Sequence, residues 1–307
     1  MGWIIMLYEE IFEYYVKAGR IVAGILSDAH RIVRVGRRLL DICVEVENAI
    51  RDKGGKPAFP CNICINHIAA HYTSPVGDYS RIPDGSLVKL DVGAHIDGYI
   101  ADGAVTICFD DRYEKLIEAV EDALDKAIKI MKPNVKVSEI GAIIQRTIKD
   151  RGFKPIENLS GHEIGRFNLH AGLSIPNVDS GIGKLKDGSV YAVEPFATVW
   201  NTIGSVVSSV DAYIFRCQSY RKLKDEESSK LLNLLYSSFL SLPFAERWVF
   251  DISIEGLDIG SVWRRLKENR RLIFRYPVLI EAGKGVVAQS EHTVFIFNGE
   301  PYILTEV

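Results

Sequence analysis

Apolar residues recur at helical spacing in three segments of the chain. The first spans residues 37–53, where one apolar face is formed by Leu39, Ile42, Cys43, Val46 and Ile50. This spacing predicts an α-helix, and the Gly54–Gly55 pair that follows is typical of a helix end. A second helix is predicted over residues 111–132, and a third is predicted to be capped by Ser138 and to end at Gly152.

Between the first two helices, runs rich in Val and Ile predict β-strands, as in SLVKLDV and GYIADGAVTI. The pattern then repeats: RDKGGKP at 51–57 resembles KDRGFKP at 149–155, and DGSLVKLD at 84–91 resembles DGSVYAVE at 187–194. Two matches in the same order, at offsets of 98 and 103 residues, indicate a duplicated helix-and-hairpin unit. The sequence therefore predicts two related halves, in which Asp91 and Glu194 end equivalent strands.

A charged, helical segment interrupts the second half from about Cys217 to Arg275, as in KDEESSKLLNLLYSSFLSL and SVWRRLKENRRL. Strand patterns resume at YPVLIEAG and VVAQSEHTVFIF. We therefore predict an α+β main domain made of residues 1–216 and 277–307, and a helical insertion subdomain of residues 217–276.

The composition is that of a globular protein without a strong charge bias. Of the 307 residues, 47% are hydrophobic, and the net charge of -3 argues against DNA or RNA as the main partner. Five cysteines do not form a disulfide-type pattern, and the start MGWIIMLYEE lacks a signal or membrane-spanning pattern. These features predict a cytoplasmic protein without a membrane segment, and Met6 is an alternative start to Met1.

The stretch DVGAHIDGYIAD places Asp91 and Asp102 in two apolar strands joined by a turn. A turn centred between Ile96 and Asp97 makes the two aspartates direct neighbours, and a turn at Asp97-Gly98 makes them diagonal neighbours on the same face. Either register brings two like charges together, which suits a pair of divalent cations. The alternative is that one aspartate caps the turn and the other pairs with a buried arginine.

Further polar residues lie in strand-like or glycine-containing contexts. Glu194 lies in YAVEPF and Glu291 in AQSEHTVFI, and the histidines are His71, His162 and His170. Taken singly, each glutamate suits a structural salt bridge at least as well as a metal site, and a lone histidine is more often a core or surface residue than a ligand.

Taken together, these motifs resemble the methionine aminopeptidases, specifically the archaeal type 2 enzymes. The matching stretches are KPAFPCNICINHIAAHYTSP, KLDVGAHIDGYIAD, SGHEIGRFNLHAGLSIPN, VYAVEPFAT and AQSEHTVF, and the resemblance covers about residues 17–297. It implies a pseudo-twofold pita-bread fold with a helical insertion. The implied activity is removal of the initiator methionine from nascent polypeptide N-termini when the second residue is small.

The resemblance also assigns site residues. It implies that Asp91 binds one of two divalent ions (Co, Mn, Fe or Zn), that His162 and Glu194 bind the other, and that Asp102 and Glu291 bridge both. Residues implied to contact substrate or to line the methionine pocket are His71, His170, Phe59, Leu169 and Tyr276. The expected mechanism is attack of a metal-activated water on the first peptide carbonyl, with Glu194 transferring the proton to the leaving amine and His71 and His170 stabilising the intermediate.

Alternatives to this function are a proline-directed peptidase of the same fold and a non-catalytic binding protein that has lost the chemistry. The basic run WRRLKENRRLIFR is typical of a solvated helix face, and its alternative interpretation is a ribosome contact. We expect a monomer.

Overall fold

The computed structural model describes residues 2–306, and it describes side chains from Glu10 onward; Met1, one of the two candidate starts, lies outside this range. The first half contains α1 (Gly2–Ser27), α2 (Ala29–Ile32), α3 (Leu39–Asp52), β1 (Lys56–Pro57), β2 (Asn62–Ile65), β3 (Ile68–Ala70), β4 (Leu87–Ile96) and β5 (Tyr99–Cys108).

The second half begins with a short 3-10 helix (Asp111–Tyr113) and continues through α4 (Glu114–Lys129), α5 (Val137–Asp150), β6 (Lys154–Pro155), β7 (Ser160–Ile164), β8 (Ser174–Pro176), β9 (Val190–Val193), β10 (Phe196–Thr198) and β11 (Val206–Cys217). The remaining elements are α6 (Glu226–Phe239), β12 (Phe244–Ala245), α7 (Glu246–Phe250), α8 (Ile259–Lys267), β13 (Ile273–Glu281), β14 (Val287–Gln289), β15 (His292–Phe297) and β16 (Glu300–Ile303).

The three predicted helices correspond to α3, α4 and α5, but the predicted cap of α5 is wrong. The helix begins at Val137, and the capping position is Lys136, which has extended backbone angles and no side-chain cap. Ser138 therefore lies inside the first turn. The physical reason is that Val137 is completely buried, so the apolar face of the helix starts one residue before the serine.

The internal repeat of the sequence is a structural repeat. In the first half, β1 pairs with β4 so that Pro57 lies opposite Ala94. In the second half, β6 pairs with β10 so that Pro155 lies opposite Ala197. The two prolines are 98 residues apart and the two alanines are 103 residues apart, which are the offsets of the sequence matches. In each half, the helices pack against the strands through a separate apolar cluster.

The two halves meet along β5 and the segment from β14 to β15. Ala104 of β5 and Glu291, which lies between β14 and β15, exchange backbone hydrogen bonds of 3.0 and 3.4 Å. This contact links the two halves of the chain directly. Residues of β5 and of the segment between β14 and β15 therefore lie close together.

The segment between β11 and β13 packs around its own apolar cluster, which contains Leu231, Leu235, Phe244 and Trp263. Its α7 is held to α3 by a buried ion pair between Arg247 and Glu47. Arg247 also donates to Thr73 Oγ1 at 2.8 Å, which ties the segment to the chain just after β3. Among the residues described, no helix combines the length and the apolar character needed to cross a membrane.

Candidate metal centre

The hairpin formed by β4 and β5 fixes the relation between Asp91 and Asp102. Ile96 lies opposite Tyr99, so Asp97 and Gly98 form the two-residue turn, both with positive φ (48° and 86°). Asp102 consequently lies opposite Gly93, two residues along from Asp91. The second predicted register is therefore the correct one, and the aspartates are diagonal neighbours on the same face.

The second half brings three further ligand-type residues to the same point. His162 lies on β7, and its Nε2 atom is 3.6 Å from Asp102 Oδ2 and 3.6 Å from Glu194 Oε1. Ligand-type atoms of Asp102, His162 and Glu291 all lie within 4.8 Å of one another. With Asp91, all five residues predicted as metal ligands therefore line one cavity.

Burial makes this cluster unfavourable for negative charge. It raises the pKa of Asp91 to about 7. Burial, followed by the charge of Asp91, raises the pKa of Asp102 well above its ordinary value. The pKa values of Glu194 and Glu291 are also raised well above the ordinary range, first by burial and then by the neighbouring carboxylates. A bound cation would reverse these shifts, because it stabilises the ionised form.

The cluster has free ligand atoms, and no positively charged side chain among residues 10–306 pairs with it. Asp91 Oδ1, Asp102 Oδ1 and Glu291 Oε1 are buried without a hydrogen-bond partner. Within residues 10–306, no lysine or arginine forms an ion pair with Asp91, Asp102, Glu194 or Glu291, and His162 lies beside Asp102 and Glu194. Burial, and then the neighbouring His170, lower the pKa of His162 to about 3, which keeps its ring neutral and able to bind a metal. The residues therefore fit divalent cations bound by carboxylate oxygen and imidazole nitrogen.

Two more histidines lie beside the cluster. His71 has a left-handed backbone (φ 64°), and its Nδ1 atom is 3.2 Å from the Pro277 carbonyl oxygen. Burial lowers its pKa to about 4, so the neutral ring donates from Nδ1 and leaves Nε2 as an acceptor. The His170 ring centre is 4.4 Å from that of His162, and burial, followed by the charge of His71, lowers the pKa of His170 to about 4.

The predicted pocket residues form the apolar part of the same cavity, which Phe59, Leu169 and Tyr276 all line. The Phe59 ring packs against Gly93, where a Cβ atom would come within 2.1 Å of the ring. The Tyr276 ring contacts those of His71 and His170, with ring centres 5.5 and 6.2 Å apart. A glycine at position 93 is thus needed for the aromatic wall to approach the metal-ligand strand.

Comparison with known proteins decides the family. Metallopeptidase family M24 matches residues 13–218. The methionine aminopeptidase of Methanocaldococcus jannaschii is 41% identical over 298 residues, which cover 97% of this chain and 99% of that protein. That of Saccharolobus solfataricus is 43% identical over 291 residues, covering 94% and 95%. The chain belongs to the methionine aminopeptidases of family M24.

Family membership also confirms the predicted fold. The structure of methionine aminopeptidase from Thermotoga maritima superimposes with a TM-score of 0.69 at 23% identity, covering 97% of both chains. The M24 pita-bread fold is therefore the fold of this chain, and as a metallopeptidase of this family it uses divalent metal.

Two residues of this M24 site are absent from the sequence-based prediction. Asn62 lies opposite Asp91 on β2, is 4% exposed and lines the cavity with an unpartnered Oδ1. Gln289 donates its side-chain amide to Glu291 Oε2 at 3.2 Å. The available signal was a polar amide in each of the apolar strand-like runs CNICI and VVAQ, since buried amides need partners.

Proposed function

We propose that this protein removes the N-terminal methionine from polypeptides, including nascent chains, by hydrolysing the first peptide bond when the second residue is small. One observation carries this proposal: the buried carboxylate and histidine cluster and the wall of Phe59, Leu169 and Tyr276 belong to the same cavity. A metal-assisted hydrolysis centre thereby adjoins a pocket suited to one unbranched apolar side chain. The names and full-length similarity of the relatives support the same activity.

The proposed centre contains two divalent ions. Asp91 would bind one, His162 and Glu194 the other, and Asp102 and Glu291 would bridge them. Four carboxylates balance two dications, which accounts for so much buried acid in one place. Carboxylate-rich sites with one imidazole accept Mn, Fe, Co or Zn.

When bound, the ions polarise the scissile carbonyl and lower the pKa of the attacking water. The protein's own residues then have separate roles. Glu194, whose carboxylate lines the cavity 3.6 Å from His162 Nε2, carries a proton toward the leaving amine. His71, with an acceptor Nε2, orients the scissile N–H, and His170 donates to the oxygen on which charge develops.

Replacing either non-ligand histidine separates this chemistry from metal binding. We expect His71→Ala and His170→Ala to retain their metal and to lose about 10²-fold in kcat, because each removes one proton-transfer or transition-state contact. The measurement is metal content beside steady-state kinetics with a Met-Ala-Ser peptide. A variant that is purified without metal would identify its histidine as a ligand and contradict the assigned role.

The substrate assignment is tested with a small set of peptides. Met-Ala-Ser should release methionine, whereas Met-Leu-Ser should react poorly because the proposed activity requires a small second residue. An Ala-Pro-Ser peptide tests the proline-directed alternative, and its preferential cleavage would refute the proposal. Absence of both metal binding and peptide cleavage would favour the non-catalytic binding protein.

The finer assignments are also proposals. Residues 217–276 form the insertion subdomain, which is supported by its separate apolar cluster. The protein is a cytoplasmic monomer that contacts the ribosome through the exposed Arg264, Arg270 and Arg271. Ribosome co-sedimentation that is unchanged after all three are replaced by glutamate would contradict that contact.

A further inference from the structure

The backbone of Asp102 is held by a side chain of the other half. Thr293 Oγ1 accepts a hydrogen bond from the Asp102 N–H and donates one to the Asp102 carbonyl, both at 2.7 Å. Thr293 is completely buried, and Asp102 is 3% exposed. The hydroxyl thus satisfies two buried backbone groups that would otherwise lack partners.

Thr293 is itself anchored on its far side. Its N–H donates to Thr305 Oγ1 at 3.1 Å, and the Leu304 N–H donates to its carbonyl at 2.8 Å. Because the C-terminal segment fixes the Thr293 backbone, the position of its hydroxyl is fixed as well. This contact is therefore a rigid support for Asp102.

The same contact occurs a second time, on the other side of the Ala104–Glu291 bridge. Thr106 Oγ1 donates to the Gln289 carbonyl at 2.6 Å and accepts from the Gln289 N–H at 2.9 Å. Each threonine lies four residues from the residue that the other one holds, and the Ala104–Glu291 backbone pair lies between the two contacts. The seam between the halves is therefore a symmetric set of hydrogen bonds.

The two ends of this seam differ in what they hold. Thr293 holds the backbone of Asp102, a proposed bridging ligand, whereas Thr106 holds the backbone of Gln289, which is not a proposed ligand and contacts Glu291 and Asp91 through its side-chain amide. We propose that Thr293 is a positioning residue that sets the Asp102 carboxylate against His162 and Glu291, so that metal affinity depends on this contact across the seam. The inference rests on the proposed metal centre and adds a residue that supports it.

The magnitude follows from the geometric tolerance of metal sites. Ligands must be held within about 0.5 Å, and loss of a group that orients a ligand typically costs about 10–100-fold in metal affinity. Thr293→Val replaces the hydroxyl by a methyl of similar size and leaves both Asp102 backbone groups unpaired. The part of β5 that carries Asp102 would then lose its hydrogen bonds to the other half.

The test is the dissociation constant for Mn²⁺, measured by calorimetry on metal-free protein, together with the thermal midpoint Tm. Thr293→Val should bind Mn²⁺ about 10–100-fold more weakly than the wild type, and Thr293→Ser should restore affinity because it keeps the hydroxyl. Thr106→Val is the matched control: it removes the same two types of hydrogen bond and should lower Tm similarly, with less than about 10-fold effect on affinity.

Equal losses of affinity in Thr293→Val and Thr106→Val would overturn the inference, as would wild-type affinity in Thr293→Val with a lowered Tm. If the valine variant does not fold, Thr293→Ala provides the same comparison, because its smaller side chain leaves space for water at the backbone groups. A wild-type protein that binds no divalent metal would instead refute the proposed function.

Discussion

Asp102→Asn is expected to reduce methionine release by several orders of magnitude at saturating metal. The carboxylate is buried, lies 3.6 Å from His162 Nε2 and belongs to a cluster with no lysine or arginine partner within residues 10–306. A neutral amide in this position leaves two dications without one of their bridging charges, and both ions are held less firmly. Glu291→Gln should have a similar effect, since it removes the second proposed bridge.

In the absence of metal, the same substitution is expected to stabilise the folded protein. Burial and Asp91 raise the pKa of Asp102 in the folded protein, so the folded state favours the protonated acid. Its contribution to stability is present below the unfolded pKa and is lost as the pH rises toward the folded pKa. Near pH 7, metal-free Asp102→Asn should therefore have a higher Tm than the metal-free wild type.

A matched control lies in the same hairpin. Asp97 is in the turn, pairs with Arg166 and has a side chain that is 57% exposed, outside the cavity. Asp97→Asn should keep full activity, which separates the loss of a bridging charge from any general effect of the substitution. Near wild-type turnover by Asp102→Asn would refute the dinuclear assignment.

Blocking the substrate amino group is expected to abolish cleavage. A free amino terminus can lose a proton and present a lone pair to the centre, whereas an N-formyl group removes that lone pair and adds bulk at the closed end of the pocket. Phe59 and Leu169, which line the same cavity, are buried. Met-Ala-Ser should be hydrolysed, and N-formyl-Met-Ala-Ser should not.

A competition assay with equal concentrations of the two peptides measures this difference directly. Release of free methionine from one peptide and persistence of the other are followed in the same reaction, so enzyme concentration and metal loading cancel. An endopeptidase that cleaves within chains would be indifferent to the formyl group. Comparable hydrolysis of both peptides would therefore exclude an aminopeptidase.

Much of the architecture could be predicted because it rests on local patterns. The hairpin is encoded by two apolar runs and an Asp97-Gly98 turn, and only its register needed the structure. The repeat was visible because equivalent strands keep the same short motifs. Residues of the cluster were recognisable because acids in apolar strands are rare without a partner.

Other features depend on contacts between segments that are distant in the sequence. Thr293 and Asp102 are 191 residues apart, and a threonine in a β-strand is ordinary, so nothing in the sequence indicates their contact. Asn62 lines the cavity only because β2 pairs with β4. The start of α5 was misplaced because burial of Val137 outweighs the capping preference of Ser138.

The most direct test of the central claim is methionine release from Met-Ala-Ser by one preparation before and after removal of its metal. Protein stripped with a chelator should release no methionine, and activity should return as Mn²⁺ or Co²⁺ is added, reaching its maximum near two ions per chain. Methionine release that persists after complete metal removal would contradict a hydrolytic centre built from Asp91, Asp102, His162, Glu194 and Glu291.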